Sequence, residues 1–384
     1  MTRKICVVVT ARASYSRVRS LLQAISQHHD LELQLVIAAS ALLDKYGSLL
    51  HCIEKDALKI TAKVSNSLDA ENSTAAAKTT GLGTIELASV FENIRPDLVV
   101  TIADRFETMA TAVAAAFMNI PLAHIQGGEI TGNIDEKVRH AVTQLADIHF
   151  AATQAAAERI VKMGQQSEKV HYTGCPSIDL VFEVLNDPQL DFDPFCIYGG
   201  VGEVFDLSKP YLMVMQHPVT TEPAYARQHI QHSLEAIKSL NIPTLWFWPN
   251  ADPGTGEISG AIRSFREHHE HQPIHFFKNI EPIHFLKLLK NTACLIGNSS
   301  AGIREGSCLG TPVVNIGSRQ LGRERAHNVM DAEPETESIL KAIHDQLDHG
   351  PYAQNHLYGD GNSGKRIANL LATSPLTYQK RLTY

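Results

Sequence analysis

At 384 residues, with 44% hydrophobic and 20% charged side chains, the chain is long enough for two or three domains and able to bury large cores without disulfide staples. Its formal charge of -7 and its lack of any basic tract speak against nucleic-acid or anionic-membrane partners, so any anionic ligand must be met by local arginines. Six cysteines (Cys6, Cys52, Cys175, Cys196, Cys294, Cys308) lie scattered without a CxxC pair, as expected of a protein of the reducing cytoplasm.

The opening MTRKICVVVTA carries an apolar run too short for a signal segment or a membrane span and reads as a first strand. TARASYSRVRSLLQAI follows, with Ser14 or Ser16 as candidate helix caps and Val18, Leu21, Leu22 and Ile25 on one face. Arg12 and Arg17 flank that helix start, where free N–H groups and the positive dipole end suit a phosphate; two solvated surface arginines would look the same. Residues 31–39 read as a second strand, and 75–93 as a helix interrupted at Gly81-Leu82-Gly83. The buried strand PDLVVTIA (96–103) ends directly in Asp104-Arg105, and an alanine-rich helix spans 106–118.

Next comes PLAHIQGGEITGNIDEKVRHAVTQLADIH (121–149): a short apolar strand, a turn at Gly127-Gly128, and a helix from about Ile134. In a parallel sheet that turn lies at a strand's carboxyl end, where such sheets bind ligands, so Glu129 stands where chemistry is usually done. At 100° per residue Ile134, Val138, Ala141, Val142 and Leu145 form an apolar stripe, with Asp135 and Arg139 on its border. Asn133 and Glu136 have the spacing of a capping box, which gives Glu136 a structural task. Asp135 and Arg139, four apart, fit an ordinary surface ion pair as well as a functional one. Asp104, Arg105 and Glu129 follow adjacent strands and would share one crevice, where carboxylate pKa values are tuned.

Strand, helix and strand are read at 148–151, 154–163 and 170–173, and Gly174-Cys175-Pro176-Ser177 opens another helix. Residues 187–209, with four aspartates, a tandem glycine and no helical period, read as a linker or domain edge. The alternation then restarts: strands at 211–215, 244–248, 274–277, 293–296 and 312–316, with helices between them. We therefore expect an α/β fold of two Rossmann-like domains facing a central cleft, at 1–186 and 208–360, with a crossover helix and tail at 361–384. That cleft would gather His217 and Asn250 with Ser299-Ser300, whose glycine-bounded hydroxyls and helix-start N–H groups suit a diphosphate. Glu305, further along that helix, could accept from ribose hydroxyls or pair with Arg304.

Several motifs fail. GDGNSGK (359–365) has Walker spacing, but Arg366 stands where a hydroxyl residue is needed and no buried strand precedes it, so it reads as a turn capping the last helix. His268, His269, His271 and His275 lack the spacing of a zinc site, and no metal is assigned. No GxGxxG follows the first strand, which argues against a dinucleotide-dependent dehydrogenase.

HIQGGEITGNIDEKVRHAVTQLADIHF, TARASYSR and GNSSAGIREGSCLGTPVVNIGSRQLGRER, in that register over residues 4–372, resemble the hydrolysing UDP-N-acetylglucosamine 2-epimerases of sialic acid biosynthesis. The resemblance implies a GT-B fold whose second domain holds most of the nucleotide and whose last helix crosses back onto the first. It implies release of UDP and conversion of N-acetylglucosamine to N-acetylmannosamine, by anti elimination and then hydration of a 2-acetamidoglucal. On that reading Asp104, Glu129 and Asp135 are the acid and base carboxylates, beside Arg139 and His217. Arg12, Ser16, Arg105, Asn250, Ser299, Ser300, Gly302, Glu305 and Arg319 fall on positions that bind UDP or the sugar. Gln126 departs from the His or Glu of relatives, which puts a catalytic role there in doubt. The partner implied is a UDP-sugar, no cofactor is needed, and a cytoplasmic homo-oligomer is expected. Three other readings stay open: a 2-epimerase of UDP-N,N'-diacetylbacillosamine, a GT-B glycosyltransferase, and a nucleotide-sugar sensor without activity. The three carboxylates argue against the last two.

Overall fold

The structure is a computed structural model that describes residues 2–43, 49–68, 72–131, 134–249, 252, 254–269, 271–377 and 379–383. The chain forms two compact units, one of Met1–Ile130, Ile134–Leu180 and Tyr358–Tyr384, the other of Thr131–Asn133 and Val181–Leu357.

The first unit runs β1 (Arg3–Val9), α1 (Arg12–Gln27), β2 (Leu31–Ala38), α2 (Leu49–Lys55), β3 (Ile60–Val64), α3 (Ser73–Ile94), β4 (Leu98–Ile102), α4 (Phe106–Phe117) and β5 (Leu122–Ile125). It continues with α5 (Ile134–Leu145), β6 (Ile148–Ala151), α6 (Gln154–Lys162), β7 (Val170–Tyr172) and the start of α7 (Pro176–Asn186). Its seven strands lie in the order β3-β2-β1-β4-β5-β6-β7, all parallel. Helices cover both faces, which is why β1 from Ile5 onward and β4 apart from Thr101 are apolar on both faces rather than alternating. Ile5, Val7 and Val9 face a core with Leu21, Leu22 and Ile25 of α1, while Cys6 and Val8 face one with Leu87, Phe91 and Ala110 of α3 and α4.

The second unit holds α8 (Pro194–Tyr198), β8 (Val201–Gly202), β9 (Leu212–Met215), α9 (Ala226–Leu240), β10 (Thr244–Phe247), α10 (Thr255–His268), β11 (Ile274–Phe277) and α11 (Pro282–Asn291). After these come β12 (Cys294–Gly297), α12 (Ser300–Ile303), α13 (Glu305–Leu309), β13 (Val313–Ile316), β14 (Val329–Ala332) and α14 (Thr336–His349). The order is β14-β13-β12-β9-β10-β11-β8, parallel except for the short edge strand β8, which runs antiparallel to β11. The last helix, α15 (Ser363–Thr373), returns to the first unit and joins its core through Ile367, Ala368 and Leu371. Two Rossmann-like units with a returning final helix are thus present. Strand order reverses at β1/β4 in one unit and at β9/β12 in the other, and ligands bind such sheets outside the strand ends at these points.

Local departures from the sequence reading have physical causes. α3 passes unbroken through Gly81 and Gly83, because Gly83 lies so close to Asn66 and Ala110 that a Cβ would sit 2.5 Å from the Asn66 Nδ2. α1 begins at Arg12 behind Ala11, without a side-chain cap, and Ser16 instead donates to the Ala13 carbonyl at 3.0 Å. Part of 187–209 is ordered packing rather than a linker: Asp193 caps α8, Lys287 bonds Asp187 and Asp191 at 2.8 and 2.9 Å, and Phe195 meets Phe205, His275 and Phe277. α2, β3, β14 and α14 were not expected from the sequence pattern. The capping residue proposed for α5, Asn133, lies outside the described residues. The Walker-like turn does start a helix, but the N–H groups of Ser363 and Gly364 are already taken by the Asp179 carboxylate at 2.9 and 2.7 Å. No helix among the described residues is long and apolar enough to cross a membrane.

Candidate active site

In the first unit the carboxyl ends of β4 and β5 turn sharply. Ala103 and Gln126, the residues just past these strands, both adopt left-handed φ (63° and 64°), a conformation that costs a non-glycine residue on the order of 1 kcal/mol and collects at functional sites. Ala103 thereby delivers Asp104 out of the sheet. Past Gln126, Gly127 and Gly128 admit no side chain: a Cβ on Gly127 would lie 2.9 Å from both His124 Nδ1 and Thr143 Oγ1, and one on Gly128 2.3 Å from the Ala156 carbonyl. Arg159 of α6 fastens the turn through the Gly128 carbonyl. Asp104 and Glu129 emerge from these two turns, both buried.

Arg139 joins them. Its guanidinium, fully buried, pairs with the Asp104 carboxylate, donates to the Glu129 carbonyl at 3.0 Å and reaches Glu136 at 3.2 Å. Burial alone would lower the Arg139 pKa, but the charges of Asp104, Glu129 and Glu136 outweigh it and raise the value. Arg17 stands 4.0 Å from the other Asp104 oxygen. The helix stripe thus differs from the periodicity: Arg139, Val142 and Thr143 are buried, whereas Ile134 is exposed. Glu136, read as one member of a capping box, reaches Arg139 and His140 with its two oxygens. Asp135 sits half-buried in the first turn of α5, on the same helix as Arg139.

The remaining first-unit candidates lie on neighbouring turns. Arg105 is held by the buried Glu107 at 3.1 Å, which also accepts from Ser40 at 3.2 Å. Arg12 opens α1, and desolvation lowers its guanidinium to about 10, still charged at neutral pH.

In the second unit a residue given no role from the sequence, Asn298, is the node. Its amide clamps His217 from both sides, accepting from the His217 N–H at 2.8 Å and donating to its carbonyl at 2.9 Å. Its own carbonyl accepts from Arg319 and Gln320, each at 3.0 Å. His217, Arg319 and the Ser299-Ser300 turn are thereby brought to one place at the β9/β12 reversal. Ser299 caps α12, accepting from Ala301. That helix breaks at Arg304, so Glu305 opens a separate short helix rather than continuing the first. Gly302 is needed for packing, since a Cβ there would lie 2.8 Å from Val313. Asn250 lies outside the described residues.

His124 is the functional neighbour that the sequence concealed, buried within an apolar strand. Its Nε2 faces the Ala103 carbonyl at 2.8 Å and its Nδ1 the Thr143 hydroxyl at 3.1 Å. Burial foremost pulls its pKa down to about 4, and it feels the charges of Arg139, Asp104 and Glu129. A polar residue inside a fully buried strand was the available signal.

Sequence and structure comparisons place the chain among known proteins. The chain is 32% identical over 379 residues to a hydrolysing UDP-N,N'-diacetylbacillosamine 2-epimerase of Legionella pneumophila, covering 99% of this chain and 98% of the relative. It is 30% identical to a UDP-N-acetylglucosamine 2-epimerase of Neisseria meningitidis, over 97% of this chain and 95% of the other. Its fold matches the Methanocaldococcus jannaschii UDP-GlcNAc 2-epimerase, solved with UDP-GlcNAc and UDP, with a TM-score of 0.79 at 17% identity over 96% and 99% of the two chains. With a family match that extends over residues 23–372, the chain belongs to the UDP-N-acetylglucosamine 2-epimerase family.

Proposed function

We propose that the chain is a hydrolysing 2-epimerase that converts UDP-N-acetylglucosamine and water to N-acetylmannosamine and UDP. The observation that carries this reading is the buried Asp104–Arg139 pair with Glu129 beside it at the carboxyl ends of β4 and β5. A carboxylate removes the C2 proton while the C1–O bond breaks and its electron pair leaves with UDP, giving the 2-acetamidoglucal. Water then adds across the double bond: hydroxyl goes to C1, and a proton reaches C2 from the opposite face. Asp104, Glu129 and Asp135 are the acid and base groups, with Arg139 positioning the first two. His217, Arg319, Ser299 and Ser300 receive the diphosphate, whose departing charge the cations offset. Arg12, Ser16, Arg105, Asn250 and Glu305 contact the remaining UDP and sugar groups, and Gly302 keeps α12 close to β13 beneath them.

A second substrate, UDP-N,N'-diacetylbacillosamine, is favoured by one observation, the Legionella relative that matches nearly end to end. Both are tested together by incubation of each UDP-sugar in D2O without an acceptor. The expected result is free UDP and a 2-epimerised amino sugar with one deuterium at C2. Sugar released with protium at C2 overturns the elimination. Turnover only with an added acceptor makes the protein a glycosyltransferase, and UDP binding without turnover makes it a sensor.

A further inference from the structure

We propose that His124 is a positioning residue that holds the Asp104, Glu129 and Arg139 groups in register, acting as a neutral imidazole of fixed tautomer. β4 and β5 are paired through Thr101 and His124, and the ladder closes with the Ala103 N–H on the Ile125 carbonyl at 2.9 Å. Ala103 then turns left-handed, φ 63°, and its carbonyl meets His124 Nε2 at 2.8 Å. A carbonyl only accepts, so Nε2 carries the proton and Nδ1 is bare in the neutral ring. Nδ1 faces the Thr143 hydroxyl at 3.1 Å, and Thr143 lies one helical turn beyond Arg139, whose carbonyl its hydroxyl also reaches at 2.8 Å. The ring edge is also the floor under Gly127, with no room between them for a methyl group.

One imidazole therefore fixes the residue before Asp104, the turn before Glu129 and the helix that carries Arg139. The carbonyl contact stabilises Ala103 in a conformation that an alanine rarely adopts, and the direction of the Asp104 side chain follows from it. A second proton on the ring would add a buried cation beside Arg139, so the arrangement works with the ring neutral. The role is tied to the elimination proposed above only through its activity readout.

Three substitutions separate positioning from filling space. In His124→Gln the amide can reproduce the Nε2 donor, in His124→Asn it reaches only toward Thr143, and in His124→Phe both contacts are lost. With UDP-N-acetylglucosamine as substrate, His124→Gln is expected to keep a tenth or more of kcat. His124→Asn and His124→Phe should lose about 100-fold or more, within the range for a displaced acid–base group, with KM and UDP affinity by calorimetry within about twofold of the parent. Equal kcat in all three, or a loss in His124→Gln as large as in His124→Phe, overturns the proposal. Should the asparagine and phenylalanine variants not fold, Thr143→Val tests the same contact: it removes the hydroxyl that links Nδ1 to the Arg139 carbonyl and should lower kcat at least tenfold, and an unchanged kcat counts against the proposal. A readout independent of any substrate is the 15N spectrum of the histidine-labelled enzyme, which should show His124 as the Nε2–H tautomer from pH 5 to 9. A different tautomer, or a crystal structure of His124→Gln in which Ala103 and the Asp104–Arg139 pair are disrupted, refutes it even if the substrate assignment is wrong.

Discussion

Arg139 shows what a single buried charge requires. Taking a guanidinium out of water costs several kcal/mol unless its neighbours return it, and here Asp104, Glu136 and the Glu129 carbonyl do so. Arg139→Met should therefore destabilise the fold by roughly 3–5 kcal/mol in urea titration, because it leaves carboxylates buried without their cation. A loss under about 1 kcal/mol would show that the pair is not structural. Glu129→Gln keeps the shape but not the charge, so turnover should drop by roughly 10²- to 10⁴-fold. UDP affinity, measured by calorimetry, should stay unchanged. What the sequence disclosed at this scale was uneven. The places of Asp104 and Glu129, in the turns that follow two buried strands, were legible from the apolar runs before them. The burial of Arg139 was not, since a charged residue on a stripe's border looks solvated until its partners from other elements are known. His124 and Asn298 were hidden for the same reason: each acts through backbone groups distant in sequence.

Among elements, β5 and β6 place His124 directly opposite His149 in register. Both rings are buried, and desolvation lowers them to about 4 and about 3 from an ordinary 6.5. Because the folded values are depressed, the unfolded chain takes up protons first; stability present above pH 6.5 is lost as pH falls toward 4. Each histidine should remove up to roughly 3 kcal/mol over that window. Urea midpoints of the parent and His149→Gln between pH 7 and 4.5 check this: the variant should show the shallower slope, and parallel slopes would exclude it. At the other end of the unit, Asp179 of α7 holds the start of α15 and also bonds Ser20 at 2.8 Å. Asp179→Ala should cost about 1–3 kcal/mol, the range for a lost charge-assisted cap, read as a lower thermal midpoint. The strand and helix alternation was readable from apolar runs and turns. α3 was misjudged because a glycine, Gly83, that reads as a helix break serves here to let Asn66, and Ala110 of α4, approach, a contact no local pattern contains.

At the scale of the whole molecule, the two units differ in how they are threaded. The second is nearly one continuous stretch, Val181–Leu357, while the first is closed only when Tyr358–Tyr384 return to it. The fit is tight: a Cβ on Gly364 would lie 2.7 Å from the backbone of Ser20 and Leu21. As the chain leaves the ribosome, the sheet that carries Asp104 and Glu129 is therefore made first and finished last. The side of α1 that receives α15, around Ser20 and Leu21, waits uncovered while the second unit is synthesised. A chain that stops before Ser363 leaves that side of α1 bare, a target for chaperones and proteases. The returning helix makes the first unit's closure depend on synthesis of the second.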